Sequence, residues 1–136
     1  SALYFSRKNK LPDSESRALR GFSYHTMYAG NHPQSLLFAK EALVVSSNNQ
    51  LQHETMLNLD QLASIAYLQQ DPIKAREYER EAGRIRDSLL NEQILKNTIN
   101  TEKRFELDKK NNLLKVQDVQ LRQKNIINIL LITAIM

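Results

Sequence analysis

Leu19-Arg20-Gly21-Phe22-Ser23 returns forty residues later as Leu59-Asp60-Gln61-Leu62-Ala63. The same interval joins Ala2-Leu3 to Ala42-Leu43 and on to Ala82, and Ser35 to Ala75. Leu19 stands against Leu59, Phe22 against Leu62 and Ser23 against Ala63, large on large and small on small, which is how helical-hairpin repeats keep their packing from one unit to the next. Short side chains at 23, 35, 42, 63, 75 and 82 let two helix axes approach to about 8–10 Å, and bulky residues a turn away fill the groove. This register predicts a binding scaffold rather than an enzyme.

The punctuation between the repeated segments fits helices. Residues 1–10 read as the tail of a helix, and Leu11-Pro12-Asp13-Ser14 as the break that opens the next. Ala18, Leu19, Phe22 and Met27 keep helical spacing over about 13–29. Gly30-Asn31-His32-Pro33 is a tight turn in which Asn31 can cap the following helix and Pro33 fits its first turn. That helix, over about 33–46, carries Leu36, Leu37, Ala39, Ala42 and Leu43, and Ser46-Ser47-Asn48-Asn49 closes it. The plan then repeats. Leu59, Leu62, Ala63, Ala66 and Tyr67 lie in a helix of about 50–70, and Gln70-Asp71-Pro72 turns with Asp71 as cap. Ile73, Ala75, Tyr78, Ala82 and Ile85 follow on the next helix.

Composition agrees. The chain has 136 residues, 41% of them hydrophobic, with only three glycines and three prolines, and no alternating β-branched runs, so the predicted fold class is all-α. Its net charge is +4, but most basic residues alternate with acids on solvated faces, and nucleic-acid binding by this segment is not expected. The absence of cysteine excludes disulfides, thiolate metal sites and a cysteine nucleophile. The chain opens at Ser1 and closes at Met136 inside an apolar run, and is expected to be a fragment of a longer protein.

Beyond Leu90 the character changes. Residues 91–125 are polar, contain no glycine or proline, and read as one long connecting helix. Leu107, Leu114 and Leu121 stand seven apart, a coiled-coil spacing, although the companion positions are Asn111, Asp118 and Asn125. The alternatives are a solvated helix whose first turns cover the repeats and a helix paired in a dimer. Ile126 to Met136 is apolar apart from Asn128 and Thr133. It is too short to cross a bilayer, which needs about 20 residues. It is expected to be the start of a truncated transmembrane helix, against the alternative of a buried terminal helix.

Over residues 1–90 the hairpins resemble tetratricopeptide repeats. Gly30-Asn31 falls where that family has its inter-helix Gly-Asp, and Ala42-Leu43 at its late Ala-Leu. Leu59, Leu62, Ala63, Ala66, Tyr67, Ala75, Tyr78 and Ala82 follow its alternation of large and small. The interval of forty exceeds the usual one, Leu19 and Leu59 replace a common aromatic, and the closing proline is missing. The resemblance implies an α-solenoid of about two and a half TPR-like hairpins followed by the long C-terminal helix. The order of repeats, polar helix and apolar run is similar to that of membrane-anchored bacterial signalling proteins, in which a repeat sensor precedes a membrane helix and a histidine kinase or helix-turn-helix output.

That resemblance also places a binding surface. The first helix of each hairpin lines the concave side, so Arg17, Arg20, Tyr24 and Tyr28, then Asp60, Ser64, Tyr67 and Leu68, are the candidate partner-binding residues. The arginines suit a carboxylate and the tyrosines offer stiff amphipathic contacts. The alternative for Tyr67 and Leu68 is packing between hairpins. No phosphate loop, metalloprotease, nucleophile-elbow or EF-hand pattern occurs, and His25, His32 and His53 have no second ligand at helical spacing, so no catalytic residue, metal or cofactor is expected. Glu77, Glu79 and Glu81 lie among arginines as solvated pairs.

The expected function is a non-catalytic protein-interaction or sensor domain of a membrane-anchored bacterial signal-transduction protein. The alternative is a soluble cytoplasmic TPR adaptor whose C-terminal helix caps its own repeats. Expected partners are a protein or peptide, a membrane through the C-terminal run, and a second copy in a homodimer or helix-swapped assembly. The resemblance places the protein in the inner membrane with its repeats in the periplasm. Lys109, Lys110, Lys115, Arg122 and Lys124 before the apolar run pull towards the cytoplasm and keep that side open.

Overall fold

The computed structural model describes residues 1–135. It is all-α, with helices α1 (Ala2–Lys8), α2 (Pro12–Tyr28), α3 (His32–Asn48), α4 (Gln52–Leu68) and α5 (Pro72–Ile135). The chain divides into two units, Ser1–Glu92 and Gln93–Met136, and α5 contributes to both. Met136, the last residue of the apolar run, lies outside the described residues.

The first unit is built from four turns of one design. Lys10, Gly30, Gln50 and Gln70 have positive φ of 52°, 82°, 56° and 59°. After each, the amide of Leu11, Asn31, Leu51 or Asp71 donates to the carbonyl of Ser6, Thr26, Ser46 or Ala66 at 2.9 Å. This is the Schellman closure of a helix, normally built on glycine because the left-handed conformation crowds a Cβ. Three of the four positions here carry a side chain. The next helix is then capped where the sequence allows. Asn31 Oδ1 accepts from the Gln34 amide at 3.2 Å, and Asp71 Oδ1 from the Lys74 amide at 3.1 Å. Leu11 and Leu51 cannot cap, and acidic residues in the first turns of α2 and α4 offset the exposed amides.

α2 and α3 form one antiparallel hairpin, and α4 forms a second with the first turns of α5. The small residues sit at the crossings as expected: Ser23, Ser35, Ala42, Ala63, Ala75 and Ala82 are all buried. In the first hairpin Ser23 Oγ donates to the Ser35 carbonyl at 2.9 Å while Ser35 Oγ donates to the Ser23 carbonyl at 2.7 Å. The second hairpin places Ala63 and Ala75 at those positions, with no hydroxyl to pair. Leu62, Ile65 and Ala39 form the core, with Met27, Leu36, Leu43 and Tyr78 packed around it.

Several apolar positions of the helical pattern lie outside this core. Leu37, Tyr67 and Ile73 are exposed, each standing two residues from buried Ser35, Ile65 or Ala75. Two residues are about 200° of helix, which turns the side chain to the far side. Phe22, the repeat partner of buried Leu62, is 39% exposed and stacks on Phe38 at 5.4 Å instead.

α5 runs unbroken from Pro72. Ala75, Tyr78, Ala82, Ile85 and Leu89 are buried or half-buried, and every described residue from Leu90 to Ile135 is exposed. Among the described residues no helix is long and apolar enough to cross a membrane.

Candidate interaction face

α2 and α4, the first helices of the two hairpins, run parallel and are stitched together by polar contacts. Arg17 Nε donates to Glu54 Oε1 at 3.3 Å. Arg20 Nη1 donates to Glu54 Oε2 at 2.6 Å and to Asn58 Oδ1 at 3.0 Å. Asn58 Nδ2 then donates to Ser16 Oγ at 2.9 Å and Ser46 Oγ at 3.0 Å, which ties α4 to both α2 and α3. One turn on, Gln61 Nε2 donates to Ser23 Oγ at 3.0 Å. Glu54, Asn58 and Gln61 are buried, and lie on one face of α4 at i, i+4 and i+7.

Electrostatics decides the state of Glu54. Burial works against its charge, but the hydrogen bond and charge of Arg20, with those of Arg17, outweigh burial and hold the carboxyl below its ordinary range. The side chain is therefore an ionised carboxylate clamped by two guanidinium groups.

The eight candidate residues divide. Arg20 does take a carboxylate, but it is the chain's own Glu54, and its side chain is only 13% exposed. Asp60 and Tyr67 turn towards α5: Arg86 Nη2 donates to Asp60 Oδ2 at 3.1 Å, and Tyr67 Oη donates to Glu79 Oε2 at 3.0 Å. That hydrogen bond to a carboxylate raises the Tyr67 phenol above its usual value. Arg17 pairs with Asp13 at 3.1 Å and with Glu54, yet keeps its side chain exposed. Tyr24, Tyr28 and Ser64 are exposed, with the Ser64 hydroxyl donating to the Asp60 carbonyl at 3.1 Å. Leu68 is exposed as well. Residues 17, 24 and 28 share a face of α2, and 57, 64 and 68 are the corresponding positions on α4. An open depression of about 430 Å³ near the start of that face is lined by residues including Asp13, Arg17, His53, Glu54 and Leu89.

Glu54, Asn58 and Gln61 escaped the sequence reading because they are polar residues in an apolar-patterned helix. A signal was present. Their partners forty residues earlier are Ser14, Ala18 and Gly21, so the repeat departs from itself at these positions, where the second hairpin receives the first. Among the described residues no cluster of His, Asp and Glu could hold a metal ion. No protein-family model, curated protein or solved structure matches the chain.

Proposed function

We propose that this chain is a non-catalytic interaction or sensor module of a membrane-anchored signal-transduction protein, binding a protein or peptide segment across the α2/α4 face. One observation carries the binding part. Tyr24 and Tyr28 project from a helix whose position is locked to α4 by the Arg17–Glu54–Arg20 clamp. Stiff aromatic anchors on a pre-ordered surface lose little entropy on binding, and such anchors carry most interface energy. The segment bound presents an apolar side chain to Tyr24, Tyr28 and Leu68, and a polar group to Arg17. The tetratricopeptide resemblance supports the same choice of face.

Anchorage rests on the order of parts: repeats, a polar helix, then the apolar run from Ile126. In this reading, occupancy of the repeats is passed through α5 to an output carried elsewhere.

Each half has its own test. Peptides selected by display against the intact chain are expected to lose about tenfold in affinity on Tyr28→Ala. Undiminished binding to that variant and to Tyr24→Ala would remove the face from consideration. For anchorage, single cysteines at Asn48, Asn112 and Leu130 are introduced into the cysteine-free chain in its native protein. Intact cells are then treated with a membrane-impermeant maleimide. Labelling at 48 and 112 with protection at 130 is expected; a soluble protein labelled at 130 overturns the anchor.

A further inference from the structure

Residues 93–135 of α5 form a helix whose every described residue is exposed, large apolar side chains included. Most helical stability in proteins comes from covering an apolar face rather than from propensity. Two apolar stripes compete for that role. One is the leucine series 107, 114 and 121. The other recurs every eleven residues: Ile94, Phe105, Val116 and Ile127, each more than half exposed.

The stripes lie on opposite sides, Phe105 and Leu107 being about 200° apart round the axis. An eleven-residue step falls about 20° beyond three whole turns, so the second stripe stays on one side over all four residues. Val119, Ile126 and Leu130 join it, with Thr98, Thr101, Asn112 and Gln123 between them. The leucine side is interrupted by Lys96, Lys103 and Lys110, which also repeat every seven residues. A parallel, in-register pair on that side would set these lysines against one another.

We propose that this segment pairs with the same segment of a second copy of the chain, parallel and in register, through the Ile94–Phe105–Val116–Ile127 stripe. Charge supports both the partner and the direction. Asp108 and Lys109 stand on opposite margins of the stripe. In a parallel two-fold pair each margin meets the partner's other margin, so Asp108 of one copy faces Lys109 of the other on both sides. An antiparallel pair sets like margins together. Shape supports the same face: Phe105, Asp108, Lys109, Asn112, Leu113 and Val116 border a shallow apolar depression of about 440 Å³. Residues at i, i+3, i+4 and i+7 form the holes that receive knobs from a facing helix. Asn112 lies mid-stripe, where a polar residue fixes register and strand number at some cost in stability. This pairing does not depend on peptide binding at the α2/α4 face.

The test uses the whole chain in non-ionic detergent, with micelles in large excess so that the apolar end does not gather copies. Single cysteines at Phe105, Val116, Leu114 and Leu121 are oxidised, and dimer is read on a non-reducing gel. Self-cross-linking at 105 and 116, with little at 114 and 121, is expected, because a disulfide needs Cα atoms within about 7 Å. Preferential cross-linking at 114 and 121, or at no position, overturns the proposal. Sedimentation supplies a second reading. Val116→Asp is expected to weaken the dimer by about 100-fold or more, because it buries a charge against its own copy. Leu114→Asp, the same change on the far side, controls for lost helix and is expected to leave the dimer intact. A monomeric wild type, or a dimer indifferent to Val116→Asp, overturns the assignment.

Discussion

The two hairpins share a backbone and differ in where their polar side chains go. In the first, Arg20, Met27 and Ser46 face α4, meeting Glu54, Gln61 and Asn58 there. Forty residues on, the equivalent residues Asp60, Tyr67 and Arg86 bond within their own hairpin, Asp60 to Arg86 and Tyr67 to Glu79. The first hairpin therefore ends in a joint and the second in an edge whose polar groups are satisfied without a further helix. Agreement between repeats encodes the packing inside each hairpin, and departures from the repeat encode what each hairpin faces.

The sharpest way to break this comparison is to cut both sets of contacts. Arg20→Ala leaves Glu54 buried with only the exposed Arg17 beside it, and is expected to cost about 3 kcal/mol in urea unfolding. Asp60→Ala removes a pair that is open to solvent and is expected to cost less than about 1 kcal/mol. Equal costs would erase the distinction between joint and edge.

Acid separates them next. The Glu54 carboxyl is depressed in the folded chain, so its contribution is present above the unfolded value, near about 4, and disappears as pH falls through the folded value. Glu54→Gln is expected to flatten the acid limb of the stability profile as well as lowering its plateau. Tyr67 has the opposite sign. Its raised phenol contributes below the ordinary tyrosine range and loses that contribution as pH rises through the folded value, an effect that Tyr67→Phe removes. An acid limb unchanged by Glu54→Gln would show that the clamp is not formed in solution.

The crossings offer a finer comparison. Ser35→Ala removes one of the two reciprocal hydrogen bonds and is expected to cost about 1 kcal/mol. Ala75→Ser places a hydroxyl where it can donate to the Ala63 carbonyl as Ser35 does to Ser23, and is expected to stay within about 0.5 kcal/mol of wild type. A large loss on Ala75→Ser would mean that the second crossing is closer than the first. The smallest effects belong to the turns. Gln50→Gly and Gln70→Gly relieve a left-handed side chain and are each expected to gain about 0.5–1 kcal/mol, read as a rise in the urea midpoint. A loss at either turn would show that the glutamine makes a contact that outweighs its strain.

Legibility followed the range of the interaction. Helix type and the caps at Asn31 and Asp71 were readable because they depend on residues within a turn of one another. The crossings at 23, 35, 63 and 75 were readable because side-chain size repeats at a fixed interval. The turns were less so. They recur every twenty residues, at 10, 30, 50 and 70, but their occupants are Lys, Gly, Gln and Gln, and a closure made by backbone amides leaves little trace in side chains. Residues 89–92, Leu-Leu-Asn-Glu, stand where the fifth turn would come and α5 passes straight through. The lack of a proline, a glycine or a change in helix propensity there is a local feature, and only the shift to polar composition beyond Leu90 marks the place.

Of the candidate face, the exposure of Arg17, Tyr24, Tyr28 and Ser64 agrees with helical phase, while the internal pairing of Arg20, Asp60 and Tyr67 does not follow from it. The sequence by itself determined that this protein is a series of helices with small residues at their crossings, because propensity, capping and periodicity are short-range. Tertiary structure alone decided that Glu54, Asn58 and Gln61 are interior and that Arg20 is occupied. A buried polar group is stable only where another segment supplies its partner, and that supply comes from residues 12 to 42 positions away.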